Sequence, residues 1–379
     1  MQWHATRIQA AEAVTAARAA GAAAEAGAEA EAGARLAAPR GLAALAAAVG
    51  AADAALASRL PRLDTAGWRV SVIVPVLNEA KGIRETLDAL QRLDPPPHEI
   101  IVVDGGSTDG TRRLARRKGV RVLAAARRGR AAQMNEGASA AAGELLAFVH
   151  ADTRPPGGMV SALRAAFTDP KTLVAGFKTN IEVPGRRLHL MTAHNTHKTW
   201  GAPLFFRPLS FARGLRCLFG DQSIACRKTD FRRLGGYDER WRIMEARAAW
   251  RYDSQFCIDM HMMGPEWPPA AAGGNSSSSS SSGSRSKPNG SGRKPSSSSG
   301  GGGPAAAAAP LHGLFPGRPR GRVLFITDRV ATTSGRRLAA WGPVRATLIH
   351  LAISLSWYVT QDTRRVEQLY ERLYTDLYR

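Results

Sequence analysis

An α/β fold built on a largely parallel sheet follows from three features of the chain. Two β-branched runs, Val70 to Val76 and Glu99 to Val103, stand one helix apart, and continuous apolar runs of this length are typical of strands buried on both faces. Each run stops in polar residues, Asn78-Glu79 after the first and Asp104-Gly105-Gly106-Ser107-Thr108-Asp109 after the second. A further run, Leu145 to Val149, ends in the same way at His150-Ala151-Asp152. Carboxylates gathered at strand C-termini suit the edge of an open α/β sheet where ligands bind.

Taken in order, residues 1–67 read as an Ala-rich, poorly ordered extension, because Ala favours helix but gives a helix little to bury. This stretch has no apolar run long enough for a signal-peptide core or a membrane span. Glu12, Glu25, Glu29 and Glu31 are unlike an organelle presequence, although import into a plastid or mitochondrion stays open beside an intracellular, cytoplasmic or membrane-peripheral placement. Residues 68–264 carry the regular pattern: strand Val70 to Pro75, helix Ala80 to Leu90, a break at Pro95-Pro96-Pro97, strand Glu99 to Val103, helix Gly110 to Lys118 and strand Val120 to Leu123. That is βαβαβ. Gly129 opens another helix, and Val174 to Ile181 is expected to enter an antiparallel part of the sheet. His194-Asn195-Thr196-His197 reads as a polar surface turn, since no third ligand in a recognisable pattern accompanies the two imidazoles. Gly220 to Arg227 reads as a strand, Lys228 to Leu234 as a helix, and Gly235-Gly236-Tyr237-Asp238 as a turn.

Residues 265–320, with the Ser/Gly/Pro tract from Gly273 to Gly303, cannot build a core and are expected to be a flexible insertion. Residues 321–379, from Arg322-Val323-Leu324-Phe325-Ile326 onward, are expected to return to the domain as a strand and helices. Val344 to Val359 is apolar but holds Arg345 and His350 and falls short of the roughly 20 residues needed to cross a bilayer. A helix packed on the domain and a helix lying in a membrane interface both fit it.

The 379 residues carry a formal charge of +21, from 52 Lys and Arg against 31 Asp and Glu. Such a balance favours anionic partners. Nucleic acid is the weaker choice, because the basic residues come as scattered pairs such as Arg112-Arg113 and Arg127-Arg128 without interleaved stacking aromatics. Nucleotide diphosphates or an anionic membrane fit better. The three cysteines, Cys217, Cys226 and Cys257, form neither a Cys-Xaa-Xaa-Cys motif nor a zinc spacing.

Pro75-Val76-Leu77-Asn78-Glu79, Asp104-Gly105-Gly106-Ser107-Thr108-Asp109-Gly110, Gly129-Arg130-Ala131-Ala132-Gln133-Met134-Asn135 and His150-Ala151-Asp152-Thr153 occur in that order. The set resembles the family 2 glycosyltransferases, across about Val70 to Asp238 and again from Gly321 to Tyr370. The resemblance implies a GT-A fold, a Rossmann-like mixed sheet flanked by helices, and transfer of a sugar from a nucleotide-diphospho-sugar donor, with inversion, to an acceptor that could be lipid or glycan. It implies donor contacts at Pro75, Asn78, Glu79, Asp104, Gly105, Ser107, Asp109, Arg130, Gln133, Asn135 and Arg336, the last in a basic motif, Thr332-Thr333-Ser334-Gly335-Arg336-Arg337. Asp109 and Ser107 could equally cap the helix that follows. Asp152, with His150, is the expected site of a divalent cation, Mn²⁺ or Mg²⁺, sharing coordination with diphosphate oxygens. The imidazole in place of a second acid favours Mn²⁺, while His150 bonded to backbone is the plain alternative.

The acceptor side departs from the resemblance. Met244-Glu245 should be followed at once by an acid, yet Asp253 comes only after Ala246 to Tyr252. Removing those residues restores Met-Glu-Asp-Ser-Gln-Phe-Cys, so Asp253 is read as the displaced second acid and Glu245 as the first, with Asp221 of Gly220-Asp221-Gln222 as a further candidate base. A shift of the base by even about 1 Å costs about 100-fold in rate, so a non-catalytic nucleotide-sugar-binding or scaffold protein is the alternative reading.

Overall fold

The computed structural model describes residues 41–239, 250–266 and 319–335, with isolated positions between 342 and 352. Contacts divide the chain into two units, of which one, residues 1–38 with 266–316, lies outside the described residues apart from Glu266. The fold below belongs to the other, residues 39–265 and 317–379.

The Val/Ile runs become β1 (Val70–Val76) and β2 (Glu99–Asp104), and β1 is buried along its whole length. They pair in parallel, with Ile73 opposite Ile101 and Val76 opposite Asp104. On the far side of β1, β4 (Leu145–Phe148) is also parallel, and β3 (Arg121–Ala124) extends the sheet beyond β2. Because side chains alternate across a strand, each strand feeds two cores. Ile73, Ile101 and Val103 pack against Met134 and Ala138 of helix α4 (Arg130–Ala140). Val72, Val74 and Val102 pack on the other face against Ile83, Leu87 and Leu90 of α2 (Ile83–Gln91), Ala115 of α3 (Thr111–Arg117) and Leu163 of α5 (Met159–Ala166).

Beyond β4 the sheet changes direction. β8 (Ile224–Arg227) runs antiparallel to β4 and to the long β6 (Thr172–Val183). β9 (Arg322–Ser334) lies parallel to β6 with a register shift between Phe177 and Lys178, and short β5 (Thr153–Arg154) closes that end antiparallel to β9. A two-residue β7 (Arg186–Arg187) folds back on β6. The described sheet is thus ordered β3-β2-β1-β4-β8-β6-β9-β5, a mixed sheet with helices on both faces, as expected.

Three local expectations are corrected. Within 1–67, Leu42–Ala57 forms a helix, α1, rather than a poorly ordered stretch. Its small residues allow close contact: a Cβ on Gly50 would lie 3.0 Å from the Ala212 carbonyl oxygen in α7 (Pro208–Ala212). Its Asp53 is buried, pairs with Lys171 and accepts the Arg320 N–H at 2.7 Å. Second, His194 to His197 is no surface turn but the middle of α6 (His189–Phe206). Third, Gly220–Gln222 is one 3-10 turn, and the strand begins only at Ile224. Helices α8 (Lys228–Leu234) and α9 (Trp250–Met263) complete the described elements. None of the described helices is long and apolar enough to cross a membrane.

Candidate active site

The loops after β1 and β2 are laced together by their own side chains. Asn78 takes a left-handed backbone (φ 54°), a conformation that Asn tolerates better than most residues. Its N–H donates to Ser107 Oγ at 2.9 Å, and its Oδ1 accepts the Thr108 N–H at 2.9 Å. The Glu79 N–H reaches Thr111 Oγ1, and the Ala80 N–H reaches Asp109 Oδ2, each at 2.9 Å. Asp109 also accepts the Thr111 N–H at 3.1 Å. Burial works against ionisation of Asp109, but these hydrogen bonds hold its carboxyl below the ordinary range. Asp104, buried at the end of β2, accepts the N–H groups of Gly106 and Ser107 at 3.2 Å and faces Arg112 at 3.6 Å. Pro75 is buried within β1.

Of the three residues expected at the start of α4, two point into the protein. Buried Gln133 donates its amide to the Val76 carbonyl at 2.8 Å and the Val103 carbonyl at 2.7 Å, tying β1 to β2. A Cβ on Gly105 would lie 3.1 Å from that amide nitrogen. Asn135 grips the Gly-Gly turn, donating to the Tyr237 carbonyl and Glu239 at 2.9 Å and accepting the Tyr237 N–H at 2.8 Å. In both, the amide functions as an internal clasp. Arg130, by contrast, lies close enough to Asp253 for its charge to favour ionisation there.

His150 and Asp152 follow β4. Asp152 is held through its main chain, its carbonyl accepting the Ser334 N–H of β9 at 3.0 Å, which leaves the carboxylate out of that tie. The His150 ring lies directly on Gly220, where a Cβ would fall 2.0 Å from Nε2. The donor set of one carboxylate and one imidazole fits an ion that takes its remaining ligands from water and phosphate oxygens. Among the described residues no group of three or more His, Cys, Asp or Glu side chains gathers to hold a metal unaided.

Asp221 and Asp253 come together around Gly220. The Gly220 N–H donates to Asp253 Oδ2 at 2.8 Å, which sets Asp253 beside the turn that carries Asp221. Asp253 is 2% exposed. Burial pushes its carboxyl up to about 7; Arg130, the Gly220 N–H and Lys198 oppose the rise, and Asp221 adds to it. Burial also raises Asp221, against the pull of Lys198 and a 2.6 Å hydrogen bond from Asn195 Nδ2, with Asp152 pushing it further up. Lys198, whose ammonium sits over the Phe219 ring at 3.9 Å, is lowered by burial and supported by Asp221 and Asp253.

Downstream of Asp253, α9 is anchored by its buried face. Phe256, Cys257 and Met260, at helical spacing from Asp253, are all buried. The Phe256 ring stacks on Tyr237 with centroids 4.4 Å apart, and Tyr237 meets Phe148 of β4 edge-on at 5.3 Å. Glu245 and Arg336 lie outside the described residues.

Sequence reasoning missed Asn195 and Lys198. A signal for Asn195 was present: Asn195 and Thr199 fall on one side of a helix, and polar residues on the face that packs inward need partners. Thr199 takes the Gln222 amide at 3.0 Å, so this face of α6 braces both ends of the Asp221 turn.

Comparison with known proteins bears on the family. Residues 71–235 match the family described as Glycosyl transferase family 2. Curated relatives include glycosyltransferase AglE of Haloferax volcanii, 36% identical over 23% of this chain and 31% of that protein. Pre-mycofactocin glycosyltransferase of Mycobacterium tuberculosis is 28% identical over 53% of this chain and 44% of its own length. The chain therefore spans less than half of the length of each of these two relatives. Among solved structures, the mannosyltransferase PcManGT from Pyrobaculum calidifontis, in complex with GDP-Man and Mn²⁺, aligns over 89% of this chain and 81% of its own, at 20% identity and a TM-score of 0.46. Over residues 71–235, the chain is thus similar to the glycosyltransferases of family 2.

Proposed function

We propose that the chain transfers a sugar from a nucleotide-diphospho-sugar donor to a hydroxyl acceptor with inversion at the anomeric carbon. The observation that carries this reading is the pair Asp221 and Asp253, brought together around Gly220 directly beside the His150 ring, with Asp253 pushed up to about 7. A carboxyl in that range is suited to accept a proton near neutral pH. In the proposed step, the Asp253 carboxylate takes the acceptor hydroxyl proton, the oxygen forms its bond to the anomeric carbon, and the bond to the diphosphate oxygen breaks with the electron pair leaving on the diphosphate. Arg130 and Lys198 supply positive charge beside that carboxylate and keep a fraction of it ionised. Asp221, fixed by Asn195, orients the turn and adds negative charge toward the acceptor.

Asp152 and His150 would hold a divalent cation, which when bound supplies charge neutralisation for the leaving diphosphate. The loops bearing Asn78, Asp104, Ser107 and Asp109 form the donor's nucleoside seat, with their lacing setting its shape in advance. The test is a nucleotide-sugar turnover assay with Mn²⁺ alongside thermal shift against uridine, guanosine and thymidine diphosphates. Saturation at 100 times the dissociation constant is expected to stabilise the chain by about 2.7 kcal/mol, with turnover lost in Asp152→Ala. Nucleotide binding without turnover of any donor would favour a binding or scaffold role, and no shift with any nucleotide would defeat both.

A further inference from the structure

Helix α3 carries its charge where a helix tolerates it least. Its first turn holds Arg112 and Arg113 and no acid, although the positive end of the helix dipole disfavours cations there. Arg116 follows Arg112, and Arg117 follows Arg113, at a spacing of four residues, which sets like charges side by side on the helix surface. Asp104 faces Arg112 at 3.6 Å. The other acids nearby are engaged elsewhere: Asp109 accepts the N–H groups of Ala80 and Thr111, and Asp88 pairs with Lys118. Among the described residues, the exposed Arg113, Arg116 and Arg117 donate no hydrogen bond and form no ion pair.

These side chains border one space. Arg112, Arg113, Arg116 and Arg117 line, with Gly110, a surface depression of about 510 Å³. Gly110 is left-handed (φ 87°), and Arg113 folds back toward it, so that a Cβ there would lie 3.8 Å from Arg113 Nη2. Planar guanidinium groups match phosphate oxygens and hold them by paired hydrogen bonds. From Arg112 to Arg117 the helix rises only about 7.5 Å, a reach suited to a short chain of linked phosphates. A bilayer is a poorer match, because α3 presents none of the large exposed apolar side chains that would enter it. Single-stranded nucleic acid is poorer too, since α3 has no aromatic ring on which a base could stack. We propose that this depression binds a soluble oligophosphate through Arg113, Arg116 and Arg117 together with Arg112, at a site apart from Asp152 and His150.

Isothermal titration calorimetry of the full chain with inorganic tripolyphosphate, in buffer stripped of divalent cations, tests this. No sugar donor is present, so the result is independent of the transferase reading. Wild type is expected to bind, and to bind less tightly as salt rises. Arg113→Gln with Arg116→Gln and Arg117→Gln should weaken binding at least ~10-fold while far-ultraviolet circular dichroism is unchanged. A control that removes exposed arginines elsewhere, Arg59→Gln with Arg62→Gln and Arg186→Gln, should bind like wild type, as should Asp152→Ala. Absence of binding by wild type would overturn the proposal, as would an α3 variant that binds like wild type. So would a control weakened as much as the α3 variant, which would reduce the effect to overall charge, or binding lost in Asp152→Ala, which would move the anion to the cation site. Sedimentation with phosphatidylglycerol vesicles that requires the α3 arginines, without tripolyphosphate binding, would overturn it in favour of a bilayer.

Discussion

Replacing Asp253 by Asn separates catalysis from stability at one atom. The amide keeps an oxygen to accept the Gly220 N–H at 2.8 Å, so the anchor of α9 survives. What disappears is an ionisable group whose carboxyl burial pushes up to about 7, against about 3.9 for an unperturbed Asp. That difference corresponds to on the order of 4 kcal/mol disfavouring the charged form in the folded chain. Between these two values the folded state holds a proton that the unfolded state has lost, so the wild type should lose stability as pH rises from about 4 to about 7 and level off above. The Asn variant lacks this loss. Two results are expected: turnover lower by about 100- to 10,000-fold, the usual contribution of a general base, and a melting temperature that exceeds wild type at pH 8 but not at pH 4. Wild-type turnover should rise about tenfold per pH unit below 7 and flatten above it. Differential scanning calorimetry across pH and a donor-turnover profile give both readouts. Full activity in the variant, or a melting-temperature difference that does not change with pH, would refute the assignment of Asp253 as a buried base.

The remaining predictions concern the parts that hold this site. Gly220→Ala would set a methyl group 2.0 Å from His150 Nε2, so either the ring or the turn must move. A stability loss of about 1–3 kcal/mol and a turnover loss of about 100-fold are expected from urea melts and steady-state assay; an unchanged enzyme would show that the ring contact has no positioning role. Gln133→Leu removes the donor that serves the Val76 and Val103 carbonyls. The Val76 carbonyl keeps the Gly105 N–H at 2.9 Å, so the loss should be about 1–3 kcal/mol in urea denaturation, and a cost below about 0.5 kcal/mol would mean that neither carbonyl depends on this clasp.

The strand-end half of the candidate site was legible because it is written locally. Strand runs, the Gly-rich turn and the strand-end acids occupy Val70 to Asp152, and each is a short-range pattern with its own physical meaning. Less legible was the use to which the polar side chains are put. Gln133, Asn135, Ser107 and Asp109 stand in one motif region, yet the structure engages all four in hydrogen bonds within the protein. A sequence displays donor and acceptor types but not whether another loop has already taken them. The cluster around Gly220 is harder still, since Asn195, Asp221 and Asp253 come from three elements that meet only in space. Asp253 was reachable from the sequence because an interrupted acid pair is itself a pattern. Lys198 was not, because a lysine on a helix normally marks the solvent side.

β9 threads between β6 and β5, and it is supplied by chain that arrives late: Thr172 pairs with Arg322, about 150 residues further on. During synthesis or refolding, β6 must therefore wait with one edge unpaired until Ser334 has emerged. The entropy of closing so long a loop grows only slowly with its length, which makes a low-complexity tract at this point thermodynamically tolerable. The difficulty is kinetic. An apolar strand left open is a template for the wrong partner, so yield on refolding should be limited by the arrival of β9 rather than by the parallel half of the sheet, whose neighbours β1, β2 and β4 can assemble first.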